Sequence, residues 1–217
     1  MAPSSLRLVH AHLNLCRNPF GELPDDQKAA LAVVDLERFV ARLARPGFAV
    51  EFVGSRGRGK TTRLHVLRQH FPDAPLVGFA RPPRLFWPPR PPERGPPVIF
   101  VDDGQFLSPR QRRRLLGRPA SFVIATHESF AASFVARGLE YESLEVGGLS
   151  VELLGEIVDR RIEWARRAPG PVPTVAPAAL AALLDWHGDN VRAIEHHLYE
   201  VFQALEELTC VTVRHLD

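Results

Sequence analysis

The sequence predicts an α/β protein: a parallel sheet of about five strands with helices between them, followed by a small three-helix domain. Three observations point there. Short apolar runs, Phe48 to Val53, Val98 to Val101 and Ser121 to Ala125, alternate with segments of helical periodicity. The first run leads straight into a glycine-rich loop and then a helix-like segment. From Leu149 the strand-like runs stop and capped helical patterns take over. Residues 1–148 are therefore assigned to the sheet domain and 149–217 to a helical lid, a division that 217 residues can support.

Composition narrows the function classes. No run approaches the roughly 18 apolar residues that span a bilayer, and no charged-then-apolar leader opens the chain. Membrane insertion is not expected, and the cytoplasm is the expected compartment. Cys16 and Cys210 lie far apart and share no ligand spacing with the nine histidines, which suggests neither a disulfide framework nor a zinc site. A net charge of +2 is too small to demand a nucleic-acid partner by itself.

In order, a short lead (Leu6 to Leu15) precedes the turn Arg17-Asn18-Pro19-Phe20-Gly21. A helix is predicted from about Pro24 to Leu43, stopped by Arg45-Pro46-Gly47. After the first strand comes Gly54-Ser55-Arg56-Gly57-Arg58-Gly59-Lys60-Thr61, with the spacing G-x-x-x-x-G-K-T. Its glycines let the backbone curl so that N–H groups face a phosphate, and the helix from Thr62 to His70 adds its positive end. Lys60 supplies a compact charge for the β- and γ-phosphates of ATP, and Thr61 a hydroxyl for Mg²⁺. The chain holds two lysines, Lys28 and Lys60, against 25 arginines, so a lysine at this position is a compositional outlier. A planar arginine fork fits a tight phosphate loop poorly, which explains the exception.

Pro75 to Ala80 reads as a second short strand. Residues 81–97 hold eight prolines, four arginines and Phe86-Trp87, so they form an irregular loop: a stiff surface connection, or a basic contact loop for a partner or DNA. Val98 to Val101 then ends in Asp102 and Asp103. Beside a phosphate loop, Asp102 reaches the magnesium shell and Asp103 orients the attacking water. Asp103 is one methylene shorter than the usual Glu, which predicts slow hydrolysis. A helix capped by Ser108-Pro109 carries Arg110, Arg112, Arg113 and Arg114, either a solvated basic face or a contact for DNA phosphate or another subunit.

Thr126, at the C-terminal edge of the strand from Ser121, is either a helix cap or a hydrogen-bonding partner for the γ-phosphate or the water. A helix from Phe130 to Arg137 and a last strand from about Tyr141 to Val146 complete the sheet domain. Beyond it, helices are expected at Val151 to Arg167, Ala178 to His187 and Asn190 to Leu208. Arg192 stands in the first turn of the last, where the helix dipole disfavours a cation, which points to a role toward the nucleotide phosphates.

The series Gly54 to Thr61, Val98 to Asp103, Thr126 and Gly188-Asp189-Asn190-Val191-Arg192 resembles the Walker A, Walker B, sensor 1 and sensor 2 motifs of AAA+ ATPases. Gly188 stands one residue further from Arg192 than in the common G-N-x-R form. Asn18-Pro19-Phe20 and the Thr126-His127 ending are similar to the bacterial transposition-regulator (TniB-like) and general-secretion (ExeA-like) ATPases. The resemblance implies Mg²⁺-dependent ATP hydrolysis in a homo-oligomer, with ATP at the subunit interface and an arginine supplied by the neighbour. Arg137 matches the usual place of that arginine, with Arg160 and Arg161 as fallbacks, and Asn18, Pro19 and Phe20 would line the adenine pocket. The expected function is ATP-driven assembly or remodelling of a partner protein, with duplex DNA as a candidate partner. The alternatives are an ATP-binding switch that hydrolyses little, a DNA-binding regulator of the transposition type, and a small-molecule P-loop kinase.

Overall fold

The computed structural model describes residues 9–78 and 89–216, which form two units: Pro24–Gly147, and the residues up to Leu23 together with those from Gly148 onward. The first is a sheet unit. Its elements are α1 (Asp25–Ala30), α2 (Val40–Leu43), β1 (Phe48–Val53), α3 (Lys60–Arg68), β2 (Leu76–Val77), β3 (Val98–Val101), α4 (Pro109–Leu115), β4 (Ser121–Thr126), α5 (Ala131–Val135) and β5 (Glu140–Glu145). All five strands run parallel in the order β2-β3-β4-β1-β5.

That order follows from the side chains. β3 and β4 are buried along their whole length and β1 along nearly all of it, as strands covered on both faces must be. β5, at the edge, carries Glu140 and Glu142 on the same face as Leu144, and Glu145 on the face of Tyr141; Arg38 pairs with Glu142, and Arg42 with Glu140 and Glu142. Strand periodicity sorts the core into two layers. Phe48, Val50, Phe52, Val98, Phe100 and Val123 pack with Phe39, Leu43, Leu64 and Leu67. Ala49, Ile99, Val101, Phe122 and Ile124 face the other way, onto Leu115, Phe130 and Phe134.

The helix expected from Pro24 to Leu43 is broken. It stops at Ala30, residues 31–36 are irregular, and a 3₁₀ turn (Glu37–Phe39) leads into α2. The β-branched pair Val33-Val34 weakens the helix, and the Asp35 carboxylate, accepting from the Glu37 amide at 3.1 Å, starts the next turn. Residues 89–97 are irregular, as their prolines require; Phe86 and Trp87 lie outside the described residues, as do Phe79 and Ala80 of the second strand.

In the helical unit, α6 (Val151–Ala165) is capped by Ser150, α7 (Pro177–His187) starts on a proline, and α8 (Val191–Ala204) is capped by Asn190. Two short parallel strands join them, β6 (Thr174–Val175) and β7 (Cys210–Val211), where the sequence showed only linker and helix. Leu154, Val158, Ile162, Leu183, Ile194, Leu198 and Phe202 form the core together with Leu13, Leu15 and Phe20. The N-terminal segment thus packs with the helices, whereas the sequence division placed it with the sheet. Its backbone explains why: Cys16 N donates to Ala165 O at 2.8 Å and Arg167 N to Asn14 O at 2.8 Å. No described helix is long and apolar enough to cross a membrane.

Candidate functional site

Parallel pairing sets Val53 opposite Thr126 and Val101 opposite Ile124, so β1, β3 and β4 all end at one edge of the sheet. The glycine loop leaves β1 at that edge. Gly54 N donates to Thr126 O at 3.2 Å, and a Cβ on Gly54 would stand 2.5 Å from Val146 O, so only glycine fits between the neighbouring strands' ends. Gly57 and Gly59 have φ near +83° and +84°, the left-handed region that lets the loop fold back over the head of α3.

Lys60, the first residue of α3, is 8% exposed and donates from Nζ to Ser55 O at 2.8 Å, across the mouth of its own loop. One turn on, Arg63 reaches back toward Arg58 O and Gly59 O at 3.4 Å each, and burial lowers the pKa of its guanidinium. Ser55 and Arg56 are exposed, Arg58 is half-buried, and Thr62 is in the first turn of α3.

Thr61 and Asp102 meet directly. Thr61 Oγ1 lies 3.1 Å from both carboxylate oxygens of Asp102, joining the helix head to the end of β3. Burial and then the charge of Asp103 push the Asp102 pKa up, while the hydrogen bonds from Thr61 and from Asp103 N pull the other way. Asp103 has φ +57° and ψ +41°, a left-handed conformation that Asp tolerates better than most residues. Its Oδ1 accepts from Gln105 Nε2 at 2.8 Å, and Gln105 Oε1 accepts from His127 N at 3.3 Å. Gln105 therefore ties the second acid of β3 to the turn after β4. Burial first, then Lys60, lower the pKa of His127, and Asp103 opposes them, so this imidazole senses both ends of the site.

Thr126 is fully buried, and its hydroxyl closes a local turn, donating to Glu128 O at 2.9 Å and accepting from Glu128 N at 3.3 Å. Behind it sits a group the sequence reading passed over. Glu51, in the middle of β1, is 0% exposed and accepts from Ser129 Oγ and Phe130 N, each at 2.6 Å, and from Ser143 Oγ. It fixes the start of α5 and hence the turn that carries His127. A lone acid inside the apolar run FAVEFV was its signal. Gln105 carried none.

The sheet unit thus gathers Gly54 to Thr62, Asp102, Asp103 and Thr126. Arg137, just past α5, donates to Arg113 O on α4. The remaining expected residues belong to the helical unit. Asn18 Nδ2 donates to Tyr199 O at 2.9 Å and its Oδ1 accepts from Phe20 N at 3.0 Å; Phe20 packs edge-on against Phe202 with ring centres 5.0 Å apart. Arg161 is 6% exposed, donates to Pro19 O at 2.7 Å and Gly21 O at 2.9 Å, and lies 3.5 Å from Glu195. These contacts tie the N-terminal turn to α6, at a residue the sequence offered as a fallback for the neighbour-supplied arginine. Arg160, the other fallback, pairs with Glu156 on its own helix at 2.8 Å. Arg192 is exposed in the first turn of α8.

No family model matches this chain, and no curated protein does. Solved structures do match. The RuvB Holliday junction branch migration motor of Thermotoga maritima has a TM-score of 0.58 at 18% identity, covering 90% of this chain and 67% of its own. Cdc6p from Pyrobaculum aerophilum gives 0.53 at 17%, covering 86% and 65%. Domain III of the Thermotoga maritima replication initiation protein DnaA gives 0.51 at 14%, covering 83% and 89%. The chain spans about two thirds of the RuvB and Cdc6p chains. At these identities the likeness establishes the fold alone, a P-loop α/β domain followed in sequence by a helical unit.

Proposed function

We propose that this chain is an AAA+ ATPase that binds ATP with Mg²⁺ and hydrolyses it to drive nucleotide-dependent assembly or partner remodelling. The observation that carries the reading is Thr61 Oγ1 between the two oxygens of Asp102, at the head of a helix whose loop is crossed by Lys60. A hydroxyl and a carboxylate, both hard oxygen donors, fit Mg²⁺, and a cation there would relieve the crowding of Asp102 by Asp103. Thr61 and Asp102 would hold the ion, which when bound screens the phosphate charge. Lys60 and the loop amides bind the β- and γ-phosphates. Asp103, held by Gln105 and by its left-handed backbone, orients water toward the γ-phosphorus. Thr126, Arg192 and an arginine from a neighbouring copy, for which Arg137 is the candidate, respond to the γ-phosphate; Asn18, Pro19 and Phe20 serve the adenine.

The test is multiple-turnover phosphate release with binding of a fluorescent ATP analogue. Lys60→Ala is expected to lower both by about 10²- to 10³-fold, the scale of removing one preorganised charge or donor. Unchanged turnover in that variant overturns the proposal. Light scattering after size exclusion in ATP, in ADP and without nucleotide tests the assembly; a monomer throughout removes it and the trans arginine together. A second reading, an ATP-binding switch that hydrolyses little, is favoured by the short Asp103 carboxylate already engaged by Gln105 at 2.8 Å. ATP binding without turnover in every oligomeric state selects it.

A further inference from the structure

In the sheet unit, away from the phosphate loop, α4 and the end of α5 enclose a groove of about 490 Å³, lined by Arg112, Arg113, Leu116, Ser133, Ala136 and Arg137. Its charge is concentrated on α4. α4 reads PRQRRRL, four arginines without an acid, in a chain whose net charge is only +2. Arg110, Arg113 and Arg114 recur at i, i+3 and i+4, so like charges crowd one side of the helix, an arrangement that weakens it. The capping box at Ser108 and buried Leu115 hold the helix in spite of this. Arg112 is set in place by its surroundings: Nε donates to Leu107 O at 2.9 Å, and its guanidinium lies 4.1 Å over the ring of Phe130. Glu128, 3.8 Å from Arg112, has a side chain 75% exposed.

We propose that the outer face of α4 and the Arg112–Arg113 side of this groove seat the phosphate backbone of duplex DNA. The proposal names the partner of the ATPase reading above and rests on that reading for any coupling to nucleotide. Three features select the occupant. Arginine forks match phosphate oxygens, and a duplex presents one charge per ~1.7 Å of axis, the densest polyanion available to them. None of the lining residues is aromatic, so the groove offers no platform on which unpaired bases could stack. On the exposed sheet edge of a second copy, Glu140 and Glu142 are already paired with Arg42 and Arg38, which leaves Glu145 against the four arginines of α4.

The experiment is fluorescence anisotropy of the full chain on labelled duplex DNA across a salt series, with ATP, with ADP and without nucleotide. The arms are single-stranded DNA and polyglutamate. Wild type is expected to bind duplex most tightly, with affinity falling steeply in salt. Arg110→Ala combined with Arg113→Ala should weaken duplex binding at low salt about tenfold or more, and make the log–log salt slope shallower by about two, one per lost phosphate contact. Both side chains are exposed, and binding of the ATP analogue should be unchanged in this variant, which also reports that it folds. No duplex binding at low salt, an unchanged slope in the variant, or polyglutamate or single strands binding as tightly as duplex each overturns the proposal. Duplex binding with this slope loss, in a chain that fails to bind ATP, sinks the ATPase reading and leaves the groove assigned.

Discussion

Charge in the protein interior is handled in two ways, and the end of β3 differs from both the helical unit and the middle of β1. In the helical unit, Arg161 is saturated: Pro19 O, Gly21 O and Glu195 surround its guanidinium, and what they fix is the seat of the N-terminal turn. Glu51 in the sheet unit is saturated in the same way by two hydroxyls and an amide. At the end of β3, by contrast, burial and a like-charged neighbour push Asp102 up, with Asp103 beside it in a left-handed backbone conformation. A buried charge whose partners are all in the fold holds structure. A carboxylate pushed up by burial and by a like-charged neighbour, at the end of a strand beside a lysine that crosses its own glycine loop, does not hold structure in that way.

Substitutions can break that contrast. The largest expected effect is from Arg161→Met, which leaves Glu195 and two carbonyls without their cation and should destabilise the chain by about 3 kcal/mol or more. Urea unfolding measures it, and a loss under 1 kcal/mol would show that the tie is ornamental. Glu51→Ala strands the Phe130 amide and two hydroxyls and should remove about 2 to 3 kcal/mol. Lys60→Ala, by the same logic, should change stability by less than about 1 kcal/mol while weakening nucleotide binding about 10²- to 10³-fold. Gly54→Ala forces a Cβ against Val146 O and should cost about 1 to 3 kcal/mol together with weaker nucleotide binding. A neutral outcome there would mean the strand ends are loose.

The smallest effect is a pH dependence in the helical unit. His187 Nε2 lies 3.1 Å from His197 Nδ1, and His197 Nε2 is 2.9 Å from Leu216 O. Burial, then the His197 charge, lower the His187 pKa below its ordinary value. The unfolded chain then takes up the proton first as pH falls. The contribution is intact above the ordinary histidine range, declines as pH drops through it, and is fully lost below the lowered value. Thermal melts from neutral to mildly acidic pH should show this slope in the wild type and a flatter one in His187→Gln.

Much of the sheet unit was legible because its signals are local. β1, the loop and α3 are contiguous, and G-x-x-x-x-G-K-T dictates backbone geometry without help from the remainder of the chain. The β3 run followed by two acids was equally readable, and Thr61 does meet Asp102. Other features were not readable, each for a physical reason. The helix from Pro24 was drawn too long because Asp35 capping a new turn looks, in apolar periodicity alone, like one more polar position. Gln105 gave no sign, since its role depends on where the turn after β4 brings the His127 amide.

The sequence by itself determined the phosphate loop, the parallel sheet with its two-faced strands, and the three helices that follow, because glycine conformation, strand alternation and helix capping act over a few residues. Only the tertiary structure decided that residues up to Leu23 pack with the helices, that Arg161 ties the N-terminal turn, and that Glu51 anchors the turn beside the site. It also decided that Arg112 and Arg113 of α4 open onto a groove with Arg137. Those outcomes rest on hydrogen bonds and contacts between residues tens to more than a hundred positions apart, and no local rule encodes a partner that only folding brings near.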